Sequence, residues 1–220
     1  MPLPREEVVQ GFLDEMSRFE ELIRSIDEKD WRAPSRCEGW TAADVAAHVT
    51  GQLSDVVNGR FEGLGTPEVT RREVDERRDK SPKEMADELA AVTDAARQIL
   101  GAIDDAAWAG PAPAGGGTLG DGVEALYADA WVHGDDIRAA IGRPTEPGPG
   151  VRVSVSHMSF LLSEKNWGPA IIAVDGVEEF AVSGGGGQRL TGDAIDFVLA
   201  ATGRIPASKI GQDDSINVFA

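Results

Sequence analysis

The sequence predicts a four-helix bundle followed by a small α/β domain, and three observations carry that reading. Four stretches repeat apolar residues at steps of three and four, the spacing that gives a helix one buried face. The run "RPTEPGPG" packs three prolines and two glycines into eight residues, enough to end a helix and mark a boundary. Beyond it the texture changes to β-prone runs and glycine-rich turns. We therefore expect the bundle over residues 1–145 and the α/β domain over 146–220.

The first helix should run from about Arg5 to Asp27, with Val9, Phe12, Leu13, Met16, Phe19, Ile23 and Ile26 on one face. "KDWRAPSRCEGW" breaks the pattern at Pro34 and Gly39 and reads as a loop. The second helix begins at "TAAD": Thr41 caps it, and Asp44 can reach back to the exposed amides. Val45, His48, Val49, Leu53 and Val56 follow along one side, so His48 lies on or beside the apolar face. "GLGTPEVTRREVDERRDK" is a polar connection with room for some helix. "SPKE" then starts the third helix, with Ser81 as cap, Pro82 at the first position and Glu84 closing the box. Its stripe is Met85, Leu89, Val92, Ala96, Ile99 and Ile103. After the loop "GPAPAGGGTLG", the fourth helix spans about Leu119 to Ile141 and is stopped by Gly142 and Pro144. Its stripe is Leu119, Val123, Leu126, Ala130, His133, Ile137 and Ile141.

In the tail, "VRVSVSHMSFLLSEKNW" reads as a helix. "IIAVDGVEEFAV" holds two strands around Asp175-Gly176, a pair suited to a type I′ turn. "SGGGGQR" is a loop, and Gly184–Gly187 make no phosphate cradle, because no lysine with Ser or Thr follows in frame. "TGDAIDFVLAATGR" reads as a helix capped by Thr191 and stopped by Gly203. "SINVFA" reads as a last strand.

Composition narrows the function. The chain has 220 residues, 41% of them hydrophobic, enough for a sizeable core. Its 38 acidic and 21 basic residues give a net charge of −17. That argues against nucleic acid or an anionic membrane as partner. The single cysteine, Cys37, rules out an internal disulfide and fits a reducing compartment. "MPLPREEVVQ" has no apolar signal core, and no stretch is apolar enough to span a bilayer. We expect a cytoplasmic protein, monomer or homodimer, that acts on a small molecule.

The chemistry concentrates in "YADAWVHGDDIRAAIGRP". Asp129 precedes His133 by one helical turn and projects from the same side. In a bundle, His48 from a facing helix can join them. Two imidazoles and a carboxylate suit a first-row divalent ion and leave a coordination position open for chemistry. The alternative is a histidine buried in the core with a hydrogen-bond partner, Asp129 pairing with His133 or with His48.

Taken together, "SRCEGWTAADVAAHV" and "DAWVHGDDIRAAIGRP" resemble the DinB-like, mycothiol-dependent maleylpyruvate isomerase family of actinobacteria, in order and in separation. The tail "LTGDAIDFVLAATGRIPASKI" resembles that family's C-terminal domain, related to sterol-carrier-protein folds. The resemblance implies a zinc-like metal on His48, Asp129 and His133, and mycothiol or a related thiol as co-substrate. The family's characterised isomerase has Glu at the carboxylate position, and Asp129 is one methylene shorter. The resemblance also puts Arg204 at a position where a guanidinium can hold a substrate carboxylate; capping its own helix is the plainer role.

Other residues have plainer roles too. Asp136 and Arg138 read as a solvated ion pair or as partners of the ligands. Cys37 reads as a small residue packed under Trp40, Trp40 and Trp131 as core aromatics, and His157 as structural. Three functions compete: a metal- and thiol-dependent isomerase or S-transferase, a non-catalytic small-ligand-binding protein, and a hydrolase using metal-activated water. Thiol chemistry is favoured over hydrolysis because only Asp135 and Asp136 stand near the triad in sequence as general bases, and Asp136 should point partly away from Asp129.

Overall fold

A computed structural model describes residues 3–220 and divides them into two units, 5–146 and 147–220, the latter together with Leu3 and Pro4. Four long helices build the first unit: α1 (Arg5–Arg24), α3 (Ala42–Val57), α5 (Pro82–Ala102) and α7 (Leu119–Ala140). Between them lie the shorter α2 (Glu28–Trp31), α4 (Pro67–Asp75) and α6 (Asp105–Trp108). α1 packs on α5 and α7, α3 packs on the same two, and α4 lies against α3.

Each long helix after the first starts where its cap dictates. Thr41 with Asp44, Ser81 with Glu84 and Thr118 with Asp121 all form reciprocal capping boxes, satisfying amides that the helix leaves open. The core joins Phe12, Met16, Phe19 and Ile23 to Val45, Leu53, Met85, Leu89, Ala130 and Ile137, all essentially inaccessible to water. Side chains of this size contribute roughly 1.5–3 kcal/mol each when fully buried.

Several boundaries differ from the sequence reading. α1 ends at Arg24 rather than Asp27, because Asp27 adopts extended backbone as the N-cap of α2. Val8, not Val9, is its buried valine. On α5, Leu100 turns inward and Ile99 outward, at 44% exposure. The polar connection after α3 contains a defined helix, α4, with Thr66 as cap and Pro67 in its first turn.

The second unit pairs α8 (Pro149–Glu164) and α9 (Ala194–Ala201) with a three-stranded sheet, β1 (Ala170–Val174), β2 (Phe180–Val182) and β3 (Gln188–Gly192). The strand order is β2-β1-β3; β2 runs antiparallel to β1 and β3 parallel to it. The boundary run partly enters α8, since Pro149 occupies the first helical turn, where no N–H is needed. Pairing of Ile172 with Phe180 makes the hairpin connection longer than the two-residue turn expected at Asp175-Gly176.

The end of the expected loop "SGGGGQR" enters β3 at Gln188 and Arg189. The pairing of β3 explains the glycines before it: the connection from β2 must pass the start of β1 to reach the other side. A Cβ on Gly187 would lie 2.1 Å from the Pro169 carbonyl oxygen. Thr191 belongs to β3, and Asp193 caps α9 instead, accepting from the Asp196 amide. The expected last strand is a 3-10 turn, Asp214–Ile216, because the Asp213 carboxylate accepts from the Ser215 amide and curls the chain there. Among the described residues, no helix is long and apolar enough to cross a membrane.

Candidate metal centre

α3 and α7 pack side by side in the bundle, and their inward faces bring three sequence-separated side chains together. His48 sits on α3 two turns after its capping box; Asp129 and His133 sit one turn apart on α7. One ligand atom from each lies within 4.8 Å of the others. His48 Nε2 is 3.7 Å from one Asp129 oxygen, and His133 Nε2 is 3.4 Å from the other. These separations exceed good N–H···O hydrogen bonds. Each ring faces a different oxygen of the carboxylate, and the spacing leaves one ion with ligand bonds of ~2.0–2.2 Å within reach of all three side chains after small adjustments. The two imidazoles meet edge to face, with centroids 5.3 Å apart at 88°.

The other nitrogen of each ring is also engaged. His48 Nδ1 lies 2.8 Å from Glu73 Oε2, and His133 Nδ1 lies 2.9 Å from Asp136 Oδ2. An ionised carboxylate only accepts, so each Nδ1 carries the proton and donates it. In the neutral ring that leaves the Nε2 lone pair facing Asp129, the tautomer a metal ligand requires. Both rings are buried, whereas the Asp129 side chain is 29% exposed; solvent reaches the cluster past Asp129, although its Oδ2, facing His48, is buried.

The His133 site attracts positive charge. Burial pushes its pKa down, but the nearby Asp129 charge and the contacts with Asp136 and Cys37 hold it well above the ordinary 6.5. The carboxylates around the two rings make the local charge favourable to a cation, for which the ring must give up any second proton. The donor set, two imidazole nitrogens and a carboxylate with further carboxylates behind the rings, fits a zinc-like ion.

Glu73 was not singled out in the sequence. It is carried by α4, 1% exposed, and reaches His48 because α4 lies very close to α3 at Gly51. A Cβ at Gly51 would stand 2.6 Å from Glu73 Cβ. The signal that marks this helix was present in "TPEV", the same cap-then-proline pattern that announces α5 at "SPKE".

Of the remaining candidates, Asp136, Cys37 and Trp40 lie against the cluster and the others do not. Asp136 is fully buried behind His133, not solvated, and Arg138 is buried with its Nη2 2.7 Å from Glu146. Cys37 faces α7: its Sγ is 3.3 Å from Asp136 Oδ2 and 3.9 Å from His133 Nδ1. Trp40 sets its edge toward His48, centroids 5.4 Å apart. Trp131 is core, its indole N–H directed at the Glu146 carbonyl. In the second unit, His157 stacks on Phe160, and Arg204 follows α9 with its Nη1 donating to the Thr202 carbonyl at 3.0 Å.

Comparison with known proteins places these features in context. The profile of the mycothiol maleylpyruvate isomerase N-terminal domain matches residues 12–138. The crystal structure of the mycothiol-dependent maleylpyruvate isomerase superposes with a TM-score of 0.68 at 16% identity, covering 92% of this chain and 90% of that one. A histidine-to-alanine mutant of that enzyme gives a TM-score of 0.65 with the same identity and coverage. At this identity the likeness establishes a common fold. No curated protein matches the sequence.

Proposed function

Because the chain belongs to the mycothiol maleylpyruvate isomerase N-terminal domain family, we propose that it is a metal-dependent enzyme using a mycothiol-like thiol, either to isomerise a small electrophile or to be transferred to it as an S-conjugate. One arrangement carries the reading: two Nε2 atoms face a shared carboxylate, while a buried carboxylate holds the Nδ1 proton behind each ring. His48, Asp129 and His133 are the proposed ligands. A divalent ion bound there would keep a low-molecular-weight thiol as thiolate near neutral pH, the nucleophile that such reactions need.

The chain's own residues contribute orientation. Glu73 and Asp136 fix the tautomer and the ring planes. Trp40 stands against His48. Thiol chemistry is favoured over hydrolysis because Glu73 and Asp136 are engaged at Nδ1, on the far side of the rings from the open face, where neither can take a proton from a water. Arg204 is assigned to an anionic co-substrate on the family resemblance, so Arg204→Ala should raise KM with little change in kcat.

The test is metal analysis of protein purified without a polyhistidine tag. It is followed by assays on maleylpyruvate and other small electrophiles, with and without mycothiol. Bound zinc with thiol-dependent turnover supports the reading. Thiol-independent hydrolysis by the zinc-loaded protein would replace it with the water mechanism, and tight binding of a small ligand without metal or turnover would make it a binding protein.

A further inference from the structure

We propose that Arg36 and Cys37, in the loop between α2 and α3, are positioning residues for the metal centre: they hold the Asp136 carboxylate that orients His133. The inference rests on the metal reading above.

Asp136 is a fully buried anion, which needs compensation to be tolerated. Arg36 supplies it. Its Nε and Nη2 lie 3.1 and 3.0 Å from Asp136 Oδ1, and Nη2 also reaches Asp135 Oδ2 at 2.6 Å. The planar guanidinium therefore sets the orientation of the carboxylate as well as neutralising it. The other oxygen, Oδ2, accepts from two donors, the Cys37 thiol at 3.3 Å and His133 Nδ1 at 2.9 Å. Removing the thiol takes away one of the donors that keep Oδ2 on the His133 side.

The loop is itself built to hold these groups still. The Ser35 hydroxyl accepts from the Cys37 amide at 3.1 Å and donates to the Trp40 carbonyl at 2.9 Å. The Ser35 amide donates to the same carbonyl at 2.8 Å, and Pro34 bridges to Thr41, the cap of α3. One closed turn thus touches both histidines, His133 through Cys37 and His48 through the Trp40 edge. It also begins the helix that carries His48. Cys37 is a hydrogen-bond donor in this arrangement, not a ligand.

Cobalt(II) serves as the probe, with affinity measured against a chromophoric chelator and the visible spectrum recorded for wild type, Cys37→Ala, Cys37→Ser and Arg36→Lys. Cys37→Ala should weaken cobalt binding about 10-fold and alter the ligand-field bands. Cys37→Ser, which keeps a donor, should recover to within about 3-fold of wild type, and Arg36→Lys, which keeps charge but not the fork, should fall between them. Wild-type affinity and spectrum in both Cys37→Ala and Arg36→Lys would overturn the proposal while leaving the metal centre intact. A thiolate-to-cobalt charge-transfer band that disappears in Cys37→Ser would make Cys37 a ligand and overturn it too. A wild-type protein that takes up no cobalt removes the metal reading, and this inference with it.

Discussion

His48 and His133 present the same ring nitrogen to Asp129, yet the carboxylates behind them are supplied in different ways. Asp136 comes from the helix that carries His133, three residues further on, so ordinary helical spacing puts the two together. Glu73 comes from α4, a short helix docked on α3. That docking depends on the missing side chain at Gly51, on Asp55 paired with Arg72, and on Arg77, just past α4, paired with Glu88. Asp136 shares its charge with Arg36 and Cys37 as well as His133. The same second-nitrogen contact is therefore intrinsic to one helix on one side and dependent on tertiary packing on the other.

The largest effect should come from the ligands themselves. His48→Ala and His133→Ala should each lose more metal affinity than the ~10–100-fold typical of groups behind the ligands, and thiol-dependent turnover should go with it. Metal content after dialysis reads this directly, and a variant that retains stoichiometric metal removes its histidine from the set. The two supports should then separate. Glu73→Gln should weaken zinc toward the upper end, about 100-fold, and Asp136→Asn toward the lower end, about 10-fold, because Arg36 already tempers the Asp136 charge. Equal losses in chelator competition would erase the distinction.

Gly51→Ala should reproduce much of the Glu73→Gln loss without touching a polar atom. The new Cβ would meet Glu73 Cβ at 2.6 Å and Arg77 Nη1 at 2.9 Å. Forcing α4 away should lower stability by about 1–3 kcal/mol. Unchanged zinc affinity in that variant would mean that Glu73 follows His48 by some other route.

The smallest effect is a control on a buried carboxylate of α1. Glu15 is 3% exposed, and burial raises its pKa from the ordinary 4.5, offset in part by Arg18 and Arg138. The folded chain thus holds that proton to higher pH than the unfolded chain. Stability falls as pH rises from below 4.5 through the raised folded value. Glu15→Gln removes the fall, so the variant should be more stable at pH 7, by on the order of 1 kcal/mol, and should gain nothing at pH 4. Urea melts at the two pH values measure this, and a gain at both would show that something other than ionisation is responsible.

What was legible in the sequence follows the same division. Periodicity placed His48, Asp129 and His133 on inward stripes, and the capping boxes of α3, α5 and α7 announced their starts. Glu73 was hidden because "TRREVDERRDK" is crowded with charge. In a short helix, spacing alone does not say which of several carboxylates turns inward; that depends on how α4 docks. β3 was hidden for a related reason: its glycine-rich approach looks like loop, and only its pairing with β1 makes it a strand. Thr191 and Asp193 are both competent caps, and the strand claimed the first. Cys37 gave no sign of facing Asp136, since nothing in its neighbours encodes a contact across ninety-nine residues.

The docking of α4 has a kinetic consequence. The helix is nine residues long, buries only Glu73 and Val74 among its own side chains, and is tied to α3 through the pair of Arg72 with Asp55. A segment held this way can peel off and rejoin while the four long helices stay folded. Each opening would strip His48 of its support and give the ion an exit. Amide hydrogen exchange across α4 and the rate of metal release should then rise together on warming, well below any temperature at which the bundle melts.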